Sequence, residues 1–256
     1  MGADSSGVAG FRRKTVKRFG KKLFRGTLMD FLSAQSRIPD KPVLDNALFP
    51  WAEGVRLQWK AMRDELDALL ERRSALPSFQ EISPDQARIS TDDQWKTFWL
   101  HGFGERMEFG RKMCPATSAA LDQIPGLSNA FFSILGPGKH IPRHRGVTKG
   151  LVRCHIGLRV PDSPEPCLIQ VDDVDCHWQE GGMFFFDDTY PHEVWNRTDG
   201  ERAVLLFDIE RPMGLPGRAV SRAMIAALKR TAYFRDAMTN QRAWEERYRA
   251  AAGRDA

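Results

Sequence analysis

Two histidines stand in segments whose neighbours suit oxidative metal chemistry. His144 lies in Ser133-Ile134-Leu135-Gly136-Pro137-Gly138-Lys139-His140-Ile141-Pro142-Arg143-His144-Arg145-Gly146. His192 lies in Phe186-Asp187-Asp188-Thr189-Tyr190-Pro191-His192-Glu193-Val194-Trp195-Asn196. Two imidazoles on neighbouring strands, with coordination positions left open, suit a ferrous ion that has to bind a cosubstrate and oxygen. A keto-acid cosubstrate also needs a cation for its remote carboxylate and walls that keep water from a reactive centre. Arg153 and Arg202 answer the first need, since each stands among apolar neighbours where an unpaired guanidinium is costly. A salt bridge to Asp187, Asp208 or Glu210 is the competing account of both arginines. Arg153 and His155 alternate with Val152 and Cys154 and so share one sheet face, and Ser133 adds a hydroxyl to the candidate set. His140 and His155 compete with His144 as the first ligand.

These side chains need strands to hold them. From Asn129 onward, short β-rich runs at 129–135, 151–160, 166–171, 175–179, 182–187, 192–196 and 202–210 are separated by turn chemistry such as Gly136-Pro137-Gly138. Seven or eight short strands in so short a span predict a double-sheet jelly roll. Before it, residues 51–73 read as a helix with Val55, Trp59, Met62, Leu66 and Leu69 on one face, and 103–113 and 116–124 as further helices. A long polar helix over 218–251 is expected to follow. The predicted fold class is therefore mainly β with flanking helices: a cupin-like jelly roll preceded by N-terminal helices and followed by a C-terminal helix.

The chain of 256 residues, 42% apolar and 28% charged, suits one substantial soluble domain. No apolar run reaches the roughly 18 residues that would mark a membrane-spanning helix, and no secretory signal pattern is visible. The cysteines Cys114, Cys154, Cys167 and Cys176 form no paired motif and read as free thiols. Of the net charge of +5, residues 1–37 carry +7, from nine Lys or Arg against two Asp, which leaves −2 for the remainder. Residues 11–34 read as a cationic amphipathic helix, with Val16, Phe19, Leu23 and Phe31 on its stripe, suited to an anionic membrane surface; a docked or disordered basic arm is the alternative. The segment 1–37 is thus set apart as a membrane contact from a single domain over 38–256, with its jelly-roll core at 128–212. Nucleic-acid binding is not expected, because no nucleic-acid module accompanies the basic block.

Residues 128–212 resemble the aspartyl/asparaginyl β-hydroxylase family of iron(II)- and 2-oxoglutarate-dependent dioxygenases. The strings that carry the resemblance are Phe132-Ser133-Ile134-Leu135, Pro137-Gly138-Lys139-His140, Pro142-Arg143-His144-Arg145-Gly146, Arg153-Cys154-His155-Ile156-Gly157-Leu158 and the segment Phe186 to Asn196. The resemblance implies a double-stranded β-helix, His144 and His192 as iron ligands, and 2-oxoglutarate contacts from Ser133, Arg153, His155 and Arg202. The wider superfamily places a carboxylate two residues after its first histidine, where this chain has Gly146. The family includes members with the same two-histidine arrangement, so water can stand in, with Asp187 or Asp188 orienting it, although turn capping competes as a role for either.

Within the family, Leu205-Leu206-Phe207-Asp208-Ile209-Glu210-Arg211-Pro212-Met213 resembles the bacterial enzymes that hydroxylate carbon 2 of a fatty acyl chain in lipid A or ornithine lipids. So do Ser36-Arg37-Ile38-Pro39 and Phe49-Pro50-Trp51. The expectation is a lipid hydroxylase using Fe(II), 2-oxoglutarate and O2, peripheral on the cytoplasmic face of the inner membrane. A hydroxylase of Asp or Asn side chains in peptides and a non-catalytic jelly-roll binding module remain the other readings.

Overall fold

Apolar runs with two-residue alternation bury themselves by pairing, and here they pair into two antiparallel sheets. The computed structural model describes residues 26–252 except Phe103 and Pro166. The larger sheet runs β1 (Val43–Leu44), β9 (Met183–Phe186), β6 (Leu151–Arg159), β11 (Arg202–Glu210), β4 (Leu127–Leu135), β2 (Trp95–Gly102) and β3 (Glu105–Arg106). The smaller runs β5 (His140–His144), β10 (His192–Trp195), β7 (Leu168–Val171) and β8 (Val174–His177).

The larger sheet is apolar on both faces, which is why β4 and β11 read as nearly continuous hydrophobic runs. Its outer face, with Phe132, Ile156 and Phe207, packs under helices and shares a core with Met62, Leu66 and Trp244. Its inner face, with Phe131, Val204 and Leu206, shares a second core with Ile141, Ile169 and Val194 of the smaller sheet. This is the expected double-sheet jelly roll with helices added at both ends of the chain. Full burial of Met62 and Leu66 is worth about 1.5–3 kcal/mol per side chain.

The helices depart from the expected boundaries. The run at 51–73 divides into α2 (Ala52–Arg56) and α3 (Trp59–Leu70), with α1 the helical stretch at 26–34. Leu57 and Gln58 form the break, the Gln58 side chain donating to the Gly54 carbonyl. After α4 (Phe79–Ile82), the predicted helices at 103–113 and 116–124 shorten to α5 (Glu108–Met113) and α6 (Pro115–Leu121). The single C-terminal helix at 218–251 is instead α7 (Leu215–Lys229) and α8 (Ala232–Ala252). Thr231 breaks it: its hydroxyl donates to the Leu228 carbonyl at 2.6 Å while its own carbonyl accepts from Arg235 in the new helix. Strand β2 was not expected. Trp95 and Trp99 on its inner face and Phe98 and Leu100 on its outer face leave no polar alternation to announce it.

The boundary expected after residue 37 falls inside a docked stretch. Leu32 is fully buried, Ser36 bridges to Met213, and the Arg37 amide donates to the Pro212 carbonyl at 2.8 Å. Phe31 of the expected apolar stripe is 38% exposed; Val16, Phe19 and Leu23 lie outside the described residues. Among the described residues, no helix is long and apolar enough to cross a membrane.

Candidate metal and cosubstrate site

Strand β5 is an edge strand, and Pro142 within it has no N–H to give to a ladder, a combination suited to a bulge. The register shows one: His144 pairs with His192, whereas Ile141 pairs with Val194, so three steps on β5 match two on β10. Without the bulge, Ile141 and His144, three residues apart, would alternate to opposite faces. With it both turn inward, and the two imidazole centroids come to 4.1 Å.

Backbone carbonyls fix both rings. Nδ1 of His144 lies 2.9 Å from the Pro142 oxygen, and Nδ1 of His192 lies 3.0 Å from the Tyr190 oxygen. A carbonyl only accepts, so each Nδ1 carries the proton and each Nε2 keeps a lone pair for a metal. Burial holds the rings neutral, lowering His144 to about 4 and His192 to about 3, the latter also repelled by His144. Two oriented, neutral imidazoles suit a ferrous ion. Among the described residues no group of three or more His, Cys, Asp or Glu is arranged to hold a metal, so the pair stands without a third protein ligand.

A Cβ added at Gly146 would collide with the carboxylate of Asp188, which occupies the volume a third ligand would need. Asp188 lines the same cavity as both histidines, and burial raises its carboxyl to about 6 against the pull of Arg153. Asp187 does something different. It accepts from the Thr189 amide at 3.0 Å and hydroxyl at 2.6 Å and pairs with Lys149 and Arg211, so it caps the turn and joins an ion-pair cluster.

The two arginines part company. Arg153 donates to Asp208 at 2.8 and 3.1 Å and approaches Asp188 at 3.3 Å, so the salt-bridge account describes it well. Arg202 is 2% exposed yet has no carboxylate partner among the described residues. Its Nη1 reaches only the Ser133 carbonyl at 3.4 Å, its Nε has no hydrogen-bond partner, and its guanidinium lies over the Trp178 ring at 4.4 Å. Burial lowers its pKa to about 10. A buried cation of this kind is costly and calls for an anion. His155 belongs to the same cluster: its Nδ1 accepts from Trp178 at 3.3 Å, which puts the proton on Nε2, a buried donor without a partner. The Ser133 hydroxyl accepts from Trp95 at 3.1 Å.

His144, His192 and Arg153 line a cavity of about 560 Å³, within the range of roughly 300–1,000 Å³ usual for small-molecule sites. Ser133, His155 and Arg202 do not line it; they are buried on the same inner sheet face. His140 is excluded as a ligand, because it stacks on Trp195 and meets Glu193 at 2.6 Å on the outer side. Trp178 and Trp95, which hold the cluster together, were not singled out from the sequence. Their inward parity was a signal for Trp95 only once β2 was known.

The family model for aspartyl/asparaginyl beta-hydroxylase matches residues 56–212, a span that includes every residue of this site. The chain is 45% identical over 217 residues to an ornithine lipid ester-linked acyl 2-hydroxylase of Rhizobium tropici, covering 85% of this chain and 77% of that one. It is 30% identical over 159 residues to aspartyl/asparaginyl beta-hydroxylase of Homo sapiens, covering 60% of this chain but only 20% of the human protein's length. A crystal structure of a Pseudomonas putida prolyl-4-hydroxylase aligns with a TM-score of 0.37 and 21% identity, over 61% of this chain and 88% of that one. The chain belongs to the aspartyl/asparaginyl beta-hydroxylase family.

Proposed function

We propose that the protein is an iron(II)- and 2-oxoglutarate-dependent hydroxylase that acts on carbon 2 of a fatty acyl chain in a membrane lipid, an ornithine lipid or a close aminolipid relative. The observation that carries the chemistry is the pairing of two free imidazole nitrogens with a nearby buried, unneutralised guanidinium, Arg202. The choice of lipid rests on the 45% identity to the ornithine lipid hydroxylase and on the apolar character of the cavity, whose walls include Trp99, Phe131, Leu206 and Leu228.

His144 and His192 would hold the iron through Nε2, their orientation set by the Pro142 and Tyr190 carbonyls. Arg202, with the Ser133 hydroxyl and the His155 Nε2 proton, would take the remote carboxylate of 2-oxoglutarate and so satisfy donors that otherwise lack acceptors. Arg153, fixed by Asp208, would keep Asp188 beside the metal, where its carboxylate can orient a water. When bound, iron and 2-oxoglutarate supply the oxidising power, converting O2, 2-oxoglutarate and a C–H bond into succinate, CO2 and a C–OH group. The apolar walls position the acyl chain and exclude water during that exchange. The basic segment at 11–34 would bring the enzyme to the anionic, cytoplasmic face of the inner membrane.

The test is mass spectrometry of lipid extracts from cells that contain ornithine lipids and lipid A and express either wild-type protein or His144→Ala. A wild-type-dependent gain of one oxygen on an acyl fragment is expected, and the fragment names the lipid. An unchanged lipid profile from expressed, iron-loaded wild-type protein would overturn the reading.

A further inference from the structure

We propose that the cavity reads the lipid's head group through Asp85 and Arg88, which form a paired-charge site for a zwitterionic aminolipid carrying one carboxylate and one ammonium. This rests on the acyl-lipid reading above and adds where the head group binds.

Reaction at carbon 2 constrains the answer. That carbon is one bond from the acyl carbonyl, so bringing it to His144 and His192 also brings the ester linkage and head group to the same cavity. The alkyl chain then fits the apolar part, where Trp99 and Phe131 stack at 4.3 Å and Leu228 of α7 also lines the space.

Asp85 and Arg88 lie in the short 3-10 helix Pro84–Arg88 and both line this cavity. Side chains three apart in such a helix are eclipsed, so the two charges rise from one face. Both are exposed, and neither forms an ion pair with the other or with any further group among the described residues. Of the other charges lining the cavity, Arg153 pairs with Asp208 and Asp188, while Arg145 is an exposed second cation beside His144.

An ornithine acylated on its α-amine presents an α-carboxylate and a side-chain ammonium. Arg88 matches the first by a bidentate, charge-assisted contact and Asp85 matches the second. A phosphate head group would instead meet the repelling carboxylate of Asp85, which commits the site to the aminolipid.

The test uses full-length, iron-loaded enzyme with lipid in mixed micelles. Ornithine lipid is compared with its carboxyl methyl ester, its N-acetylated side-chain amine and a phosphatidylglycerol of matched chains. Wild-type enzyme is expected to favour ornithine lipid over each by about tenfold in kcat/KM, ~1.4 kcal/mol. Arg88→Gln should raise KM for ornithine lipid and lose the discrimination against the methyl ester. Asp85→Asn should lose the discrimination against the acetylated amine and the phospholipid. Arg218→Gln, at an exposed cation that does not line the cavity, should change none of these ratios. Wild-type turnover with ratios that survive Arg88→Gln and Asp85→Asn would overturn the head-group site alone. Absence of wild-type turnover on every lipid would overturn the lipid reading itself.

Discussion

The Asp188 carboxylate fills the volume that a side chain at Gly146 would occupy, and the Gly146 amide donates to the Asp188 carbonyl at 2.6 Å. The position two residues after His144 is therefore closed to a ligating side chain. Gly146→Asp should not create a third iron ligand. It should force two carboxylates into one buried space and lower stability by about 1–3 kcal/mol. Anaerobic iron titration and thermal unfolding check this; iron affinity at or above wild type in a stably folded Gly146→Asp protein would refute it. Gly146→Asp combined with Asp188→Gly should regain much of the lost stability.

Arg202 carries a buried charge with no acid beside it among the described residues, so function and stability should pull in opposite directions. Arg202→Met is expected to weaken 2-oxoglutarate binding by about 100-fold, ~2.7 kcal/mol. Without 2-oxoglutarate, the same variant should be more stable than wild type by about 1–4 kcal/mol, because an apolar side chain replaces an unpaired ion. Calorimetric titration and denaturant unfolding measure the two effects. A destabilised variant with unchanged 2-oxoglutarate affinity would show the arginine to be purely structural.

The bulge in β5 gives His144 its inward direction. Deleting Arg143 alone leaves the histidine two residues after Ile141, where regular pairing keeps it inward opposite His192, so iron binding should persist. Deleting Pro142 and Arg143 together sets the histidine directly after Ile141, where alternation turns it to the outer face, and iron stoichiometry should fall to near zero with the circular dichroism spectrum unchanged. Iron retained at wild-type affinity in the double deletion would mean that strand alternation does not set the histidine's direction.

His101 supplies a pH dependence away from the site. Burial, reinforced by Arg111 and Arg106, lowers its pKa to about 4, and neither ring nitrogen has a hydrogen-bond partner among the described residues. Between about pH 6.5 and this value the unfolded chain binds a proton at His101 that the folded chain refuses. Stability should therefore decline as pH falls through that window and be unaffected by this residue above it. Urea unfolding of wild type and His101→Asn at pH 7 and pH 5 tests this: the variant should lose less stability on acidification. Equal losses would assign the pH dependence to other groups.

Much of the candidate site was legible in the chain because its residues are of types that cost free energy when buried unpaired. Arg153 and Arg202 are legible as charges in apolar runs, His144 and His192 as paired imidazoles at strand and turn edges, and period-two alternation correctly places Arg153 and His155 on one sheet face. The jelly roll was legible for the same reason, since its strands end at glycines, prolines and asparagines that strands tolerate poorly. Three matters were decided only by tertiary structure. Strand β2 is buried on both faces and so has no polar alternation to mark it. The partner of each arginine depends on registers between β4, β6 and β11, which place Asp208 opposite Arg153 and leave Arg202 without an acid among the described residues. The third is the clash between Gly146 and Asp188, residues 42 positions apart by their numbers. Local sequence sets which side chains can alternate and turn, but which charges meet is fixed by strand pairing, and that is a long-range property of the folded chain.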